Sequence, residues 1–408
     1  MRSVILVLVA GGVIACCAIA FRTSSHGEKP TESPLRLVWV FEAPHPGSIL
    51  ATPSVTQEGI FLSAEHSREL RRGGAVYCLD PSTGKPRWMY DRNGTMLPTA
   101  SAPLVSQGRV YFGEGMHADF VSRLQCLDAA TGTERYHVDV GGHIEGGPAA
   151  ERGLLVFPAG DDGLHAVDEV TGEPRWSFRA DLHIDSTPLI SGGKVFVGSG
   201  RSRRFDSHQV VCLDAETGKP IWRTAVDLPA WGSPASAGGR ILVGLGNGRL
   251  TESAQHPETP AGGVASFDTA TGRHAWTFTT ADAVFGRPAV VGDRVVFGSR
   301  DGFVYVLGRE GKEQFRIDLG GPLVSGPAVA GDRVYVVSVP GRVVCLDPAT
   351  GREEWRYELA RDGIKPNVFA SPIVFRNRLY IAAEMRLGQT GIVTLFCFEL
   401  PGKAEDDS

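Results

Sequence analysis

The chain has 408 residues, with 41 basic against 46 acidic side chains and a formal net charge of −5. That balance excludes the basic field a nucleic-acid-binding surface needs, so no nucleic-acid partner is expected. The 51 glycines and the near absence of a helical apolar period exclude an α-helical protein and point to a turn-dense, all-β chain.

Residues 1–21 are expected to be a signal peptide or membrane anchor. Arg2 precedes an apolar run from Val4 to Phe21, and a polar linker occupies 22–34. Three readings stay open. Ala18-Ile19-Ala20 fits a signal-peptidase site. Val13-Ile14-Ala15-Cys16 fits a lipobox. The run is also long enough for one membrane span. All three place the remainder outside the cytoplasm, in the periplasm or at the cell surface, with tethering through the N-terminus in two of them.

From residue 35 onward one phrase recurs: a small residue, Pro, two short apolar runs, a strand ending in Asp, then Thr-Gly and an aromatic. The prolines are Pro53, Pro103, Pro148, Pro188, Pro234, Pro288, Pro327 and Pro372, at spacings of 50, 45, 40, 46, 54, 39 and 45 residues. Short strands at that period predict a β-propeller. The clearest copies are Cys78-Leu79-Asp80-Pro81-Ser82-Thr83-Gly84 before Trp88 and Cys212 to Gly218 before Trp222. The Asp accepts hydrogen bonds from N–H groups two or three residues on, and the Gly supplies the positive φ the turn needs. The aromatic is expected to fill the wedge between blades, stabilising it by roughly 2–3 kcal/mol.

Counting the aromatics Trp39, Trp88, Tyr136, Trp176, Trp222, Trp276, Phe315 and Trp355 gives eight blades of four antiparallel strands. The segment Leu35 to Glu42 lacks a preceding Asp strand, and Ile392 to Leu400 lacks a following aromatic strand. They are expected to share one blade, as its outer and third strands, and so close the ring and remove an open edge. The propeller then spans 35–400 as a single, monomeric domain, and 401–408 is an acidic, disordered tail.

The Cys/Ala-x-Asp-x-x-Thr-Gly-x-x-x-Trp phrase resembles the tryptophan-docking repeat of pyrroloquinoline-quinone (PQQ)-type propellers over almost all of 35–400. The resemblance implies one of two things. The family includes quinoprotein alcohol dehydrogenases, and it includes non-catalytic members such as the lipoprotein scaffold of the outer-membrane barrel-assembly machinery, which has about this length. The dehydrogenases carry a vicinal disulfide above the cofactor. Here the only adjacent cysteines, Cys16 and Cys17, lie in the leader. Cys78, Cys126, Cys212, Cys345 and Cys397 occupy the same strand position in different blades and read as small core residues.

One face of the ring carries the uniform Asp-x-x-Thr-Gly turns. The other carries the loops between second and third strands, which vary, and variable loops on a regular scaffold are where function concentrates. Asp162-Gly163, Asp301-Gly302 and Pro340-Gly341 are minimal hairpins. Long loops are expected at Glu65 to Gly74 (Arg68, Arg71, Arg72), Glu114 to Ser122 (His117), Arg201 to His208 (Arg201, Arg203, Arg204, His208), Gly248 to Gly263 (Glu252, His256) and Glu384 to Gly391. They make a candidate surface for envelope proteins.

A second candidate lies at the channel mouth. Three residues before each repeat proline stand Leu50, Ala100, Glu145, Asp185, Trp231, Phe285, Val324 and Phe369. His143 and His183 precede the two acids, so two His-x-acid motifs sit in adjacent blades. In extended chain, residues i and i+2 point the same way, and four such groups suit a divalent metal or a cationic ligand. Trp231, Phe285 and Phe369 are expected to form an aromatic arc opposite, with Arg287 as an anion contact or counter-charge. No nucleophile elbow, zincin helix or P-loop is present, so no catalytic residue is identified. The expectation is a non-enzymatic envelope scaffold with no cofactor. The alternative is a dehydrogenase or sensor with PQQ beside a Ca²⁺ held by Glu145 and Asp185.

Overall fold

The repeated turn closes as its chemistry requires. In the protein's computed structural model, which describes residues 35–68, 71–117, 119–250, 252, 259–360, 363–388 and 390–401, Asp80 Oδ1 accepts from the N–H groups of Ser82 at 3.0 Å and Thr83 at 2.9 Å. Asp128, Asp168 and Asp268 repeat both bonds. An Arg one strand on returns to the same carboxylate in three turns: Arg87 to Asp80, Arg135 to Asp128 and Arg175 to Asp168, each at 2.6 Å. The leader, the linker, His256 and tail residues 402–408 lie outside the described residues, as does the Arg68 side chain.

Each such turn joins the third and fourth strands of an antiparallel sheet. The second repeat folds as Leu104–Ser106, Arg109–Gly113, Ser122–Asp128 and Glu134–Val140, in that order across the sheet. The third folds as Ala149–Glu151, Leu154–Pro158, Leu164–Asp168 and Pro174–Phe178, and the fourth as Leu189–Ser191, Lys194–Gly198, Gln209–Asp214 and Pro220–Ala225. Residues 235–280, 289–318 and 328–358 repeat the plan, giving six separate four-stranded sheets. Second and third strands are buried almost throughout, and their two faces feed two different cores. One cluster, for example, joins Val156 and Ala166 of the third sheet to Val195 and Val211 of the fourth. The five repeat cysteines are buried free thiols within these cores.

Aromatic docking links the sheets. A Cβ built on Gly84, Gly132, Gly172, Gly218, Gly272, Gly311 or Gly351 would fall 2.4–2.7 Å from the ring of Trp39, Trp88, Tyr136, Trp176, Trp222, Trp276 or Phe315, respectively, and every one of these glycines has a positive φ. The ring of one sheet therefore lies flat on the turn glycine of the next. Four indoles add a hydrogen bond to that turn: Trp88 to Ala129 O, Trp176 to Ala215 O, Trp222 to Thr269 O and Trp276 to Arg309 O, at 2.9–3.2 Å. The Tyr136 hydroxyl does the same to Glu169 O at 2.9 Å. The corresponding carbonyl for Trp39, that of Pro81, is taken by Arg378 at 2.8 Å, and the Trp39 Nε1–H is buried without a partner.

The closure differs from eight separate sheets. Arg36–Ser48 pairs along Thr390–Glu399, with Trp39 opposite Cys397, as the outer strand beside Ile373–Phe375 and Arg378–Leu387. It then runs on: Gly47 and Ser48 pair with His66 and Glu65 of the first repeat. With Lys365–Asn367 added against Arg378–Leu387, the first and last repeats fuse into one nine-stranded sheet. The physical cause is strand length. The expected loops at 65–74 and 384–391 are instead regular hairpin extensions, with Glu65 opposite Gly74 and Glu384 opposite Val393. The last hairpin has no Thr-Gly turn, so Trp355 docks on no turn glycine. It packs on Tyr335 and into the cluster of Leu35, Phe396 and Leu400.

Two predictions follow from the turns. Gly218→Ala adds a methyl against Trp176 at a positive φ and should cost roughly 2–4 kcal/mol. Gly193→Ala shares the positive φ but meets nothing within 4 Å, and should cost only about 1 kcal/mol. Equal losses in denaturant melts would remove docking from the account. Asp80, Asp128 and Asp168 are each lowered to about 2, chiefly by the hydrogen bond from their arginine. A lowered folded pKa stabilises above the unfolded value of 3.8 and is lost as pH falls toward 2. The melting temperature should drop across that window, and by less in the Arg135→Gln variant.

Candidate functional site

Three connections from consecutive repeats meet on the variable-loop side. The loop 114–121 carries His117. The link between the second and third sheets carries His143 and Glu145, and the next link carries His183 and Asp185. Each is held by its own backbone. Glu114 is almost fully buried, pairs with Arg92, and accepts from Leu97 N–H at 2.9 Å. Its own carbonyl accepts from Ile144 N–H at 3.2 Å, tying the loop to the link. Burial raises the Glu114 pKa, opposed by the Leu97 N–H and by Arg92. Gly160 exchanges both backbone hydrogen bonds with Ile184, and Gly200 N–H donates to His183 O at 2.8 Å. Gly200 is obligatory, because a Cβ there would lie 2.0 Å from the Trp231 ring.

The side chains converge on Asp185. Its Oδ2 lies 2.7 Å from His183 Nε2 and 3.6 Å from His117 Nε2, and its Oδ1 faces His143 Nε2 at 3.2 Å. The His117 and His143 rings stack at 4.7 Å between centroids, and each lies 5.4 Å from His183. Trp231 meets His183 edge-on at 6.0 Å. Two outer carboxylates orient the imidazoles: Asp161 Oδ1 lies 2.7 Å from His183 Nδ1, and Glu145 accepts from His117 N–H at 2.8 Å and binds its Nδ1. His143 and His183 are buried, whereas the His117 side chain is 55% exposed.

Electrostatics follow from this crowding. Burial opposes a charge on His183, but Asp185 and Asp161 outweigh it and push the pKa up to about 9. Burial likewise opposes ionisation of Asp185, but the close approach of His143 and the hydrogen bond with His183 hold it well below the usual carboxylate range. The hydrogen bond to Glu145 raises His117, against its burial.

The two His-x-acid motifs thus come together, with one exchange of roles. Glu145 turns to His117, and His117, which sequence reasoning assigns to the partner face, takes its place beside Asp185. The His117-x-Asp119 spacing was the available signal: Asp119 accepts from Met116 N–H at 2.8 Å and so closes the turn that carries His117. Of the expected aromatic arc, Trp231 has its ring contact with His183, and Phe285 and Phe369 are half-buried on their own links. Arg287 is solvent-accessible but crowded, and desolvation lowers its pKa. Of the loop residues, Arg72 is bidentate to Glu65 at 2.6 and 2.7 Å, Arg201 and His208 both meet Asp206, and Arg204 lies over the Phe205 ring. Arg71, Arg203 and Glu252 are exposed. So are two apolar side chains beside His117, Phe120 at 82% and Val121 at 68%.

The family model described as outer membrane protein assembly factor BamB matches residues 36–117, 121–206, 203–307 and 260–394. Among curated relatives, the serine/threonine-protein kinase AfsK of Streptomyces griseus is 31% identical over 137 residues, 32% of this chain and 16% of the kinase. The outer membrane protein assembly factor BamB of Burkholderia pseudomallei (strain K96243) is 28% identical over 96 residues, 24% of this chain and 25% of that protein. The chain thus matches a quarter or less of the length of either relative. The crystal structure of BamB from Moraxella catarrhalis superposes with a TM-score of 0.64 at 18% identity, covering 89% of this chain and 97% of the other. Quinohemoprotein alcohol dehydrogenase from Comamonas testosteroni gives 0.66 at 15% identity, covering 91% and 77%. At these identities the superpositions establish the fold alone.

The Arg92–Glu114 pair sets the His117 loop, and its removal should be felt there. Arg92→Ala leaves a buried carboxylate unpaired and should cost roughly 3 kcal/mol, while Arg92→Ala with Glu114→Gln should recover much of it. Chemical denaturation and limited proteolysis at 114–121 would measure both. A double variant no more stable than the single one would contradict this role.

Proposed function

The chain belongs to the PQQ-type propeller family described as outer membrane protein assembly factor BamB, and from that premise we propose that it is a non-enzymatic binding propeller of the cell envelope. In this reading the nine-stranded sheet is two fused blades, so the ring has eight. Residues 1–34 export the propeller and can tether it to a membrane, and envelope proteins dock on the variable-loop face. No helix among the described residues is long and apolar enough to cross a membrane.

The observation that carries the reading is the apolar tip of that face. Phe120, Val121 and, on the 378–399 hairpin, Leu387 at 70% are exposed on second-to-third-strand connections. Exposed apolar side chains at loop tips, on a set of loops that also exposes Arg71, Arg203 and Glu252, have the mixed composition of a docking surface.

The dehydrogenase alternative rests on fold likeness. The residues expected to hold its Ca²⁺ do not suit that ion. Calcium takes six to eight oxygen ligands, whereas Asp185 is faced by three imidazoles and Glu145 is engaged by His117.

A photocrosslinker placed at Phe120 or Leu387, in cells with an intact envelope, should give adducts with outer-membrane assembly proteins. One placed at Val170, on the Asp-x-x-Thr-Gly face, should not. Adducts confined to position 170 would move the interface to the other side. Failure of all three positions to crosslink would count against a stable protein partner.

A further inference from the structure

We infer that His117, His143, His183 and Asp185 form a binding site for one late first-row divalent metal ion, with zinc the best match, clamping three successive connections of the propeller. The inference stands on side-chain geometry and is independent of the partner reading above.

Four donor atoms, one from each residue, lie within 4.8 Å of one another. A tetrahedral ion bound at about 2.0–2.1 Å holds its ligand atoms roughly 3.3 Å apart. The separations from Asp185 oxygens to the three Nε2 atoms, 2.7, 3.2 and 3.6 Å, bracket that value. Three imidazoles and one carboxylate are a zinc-type set, whereas an all-oxygen shell would be needed for calcium or magnesium.

Donor and acceptor accounting points the same way. His183 has a carboxylate on each ring nitrogen, Asp161 at Nδ1 and Asp185 at Nε2. His117 has Glu145 at Nδ1 and Asp185 near Nε2. A neutral imidazole has one N–H and meets two acceptors only by taking up a second proton. A metal at Nε2 takes the place of that proton, since Nδ1–H still donates to the outer carboxylate while Nε2 presents its lone pair. A carboxylate on the far nitrogen of a ligating histidine is the usual outer-shell arrangement of protein metal sites. Finally, His143 Nε2 and Asp185 Oδ1 are buried and make no hydrogen bond although they face each other. The His143 side chain is 7% exposed, so its free nitrogen is aimed into the cluster and not into solvent.

Such an ion would draw the exposed His117 onto the two buried histidines. The loop 114–121, with Phe120 and Val121 at its tip, would then be pinned to the links at 141–147 and 181–187. All four protein ligands fill a tetrahedral shell, the mark of a structural rather than a catalytic zinc.

The test uses the full chain without a histidine tag. After dialysis against EDTA and then metal-free buffer, it is titrated with Zn²⁺ in competition with a chromophoric chelator. Bound zinc is counted by elemental mass spectrometry. The expected result is one zinc per chain, a dissociation constant below micromolar, and a higher melting temperature. His117→Ala removes a half-exposed ligand outside the core, so it should fold. It should weaken binding at least tenfold. Glu145→Gln keeps all four ligands and should weaken it by about 10–100-fold through lost orientation. Co²⁺ in the wild type should show the intense visible bands of a four-coordinate site, absent in His143→Ala with Asp185→Asn. Binding of no zinc, or equal binding by wild type and His117→Ala, would overturn the inference.

Discussion

The contact between a flat aromatic ring and the bare face of a glycine holds the ring of sheets together. Each sheet buries its own apolar strands, but neighbouring sheets meet at a wedge that widens outward. A large ring fills that wedge only if the opposing turn has no side chain. The Asp-x-x-Thr-Gly turn supplies that bare surface because its Asp satisfies the turn N–H groups and its Gly takes the positive φ. In four contacts an indole N–H, and in a fifth the Tyr136 hydroxyl, also donates to a carbonyl of the opposing turn, which fixes rotation as well as distance. Seven ring-on-glycine contacts, the one on Gly311 lacking the Asp, tie the described repeats in sequence, and the place of an eighth is taken by the pairing of the first and last strands.

A scaffold fixed on one side leaves the other side free to vary. Because the turns face one way, the second-to-third-strand loops and the inter-sheet links face the other. Successive links lie against one another: Ser101 Oγ donates to Gly146 O, Gly147 N–H to Thr187 Oγ1, and Ser371 N–H to Thr52 Oγ1. The last of these joins the end of the chain to its beginning. Residues far apart in sequence thereby reach a common point, and three histidines and four carboxylates, counting Glu114 and the outer pair, share one corner of the molecule. Such a density of partly buried charge is costly unless every group is matched. The matching here is nearly complete, and the mismatch that remains is at the centre of the cluster.

The proline period, the Thr-Gly turns and the aromatic positions were legible in the sequence because each is a local requirement repeated many times. So was the closing strand, since Leu35 to Glu42 lacks a partner that Ile392 to Leu400 can supply. The fused nine-stranded sheet was not. It depends on how far Arg36–Ser48 and the 60–79 hairpin extend, and nothing in the repeat sets that length. Trp355 looked like the other docking aromatics because its own strand is ordinary, while the missing glycine belongs to its neighbour. At the candidate site, counting back from the prolines found His143, Glu145, His183 and Asp185 because they sit on equivalent links. It could not find His117, which arrives on a loop of a different kind, and it could not tell which carboxylate turns inward.

The docked sheets bring three connections to one point with the geometry of a metal ligand set. Anomalous diffraction at the zinc absorption edge, from crystals of the full chain grown with zinc, tests this most directly. The predicted result is one strong peak about 2.0–2.2 Å from the Nε2 atoms of His117, His143 and His183 and from a carboxylate oxygen of Asp185. A map with His117 turned away from the other two histidines, or with zinc bound elsewhere and none at this point, would contradict it.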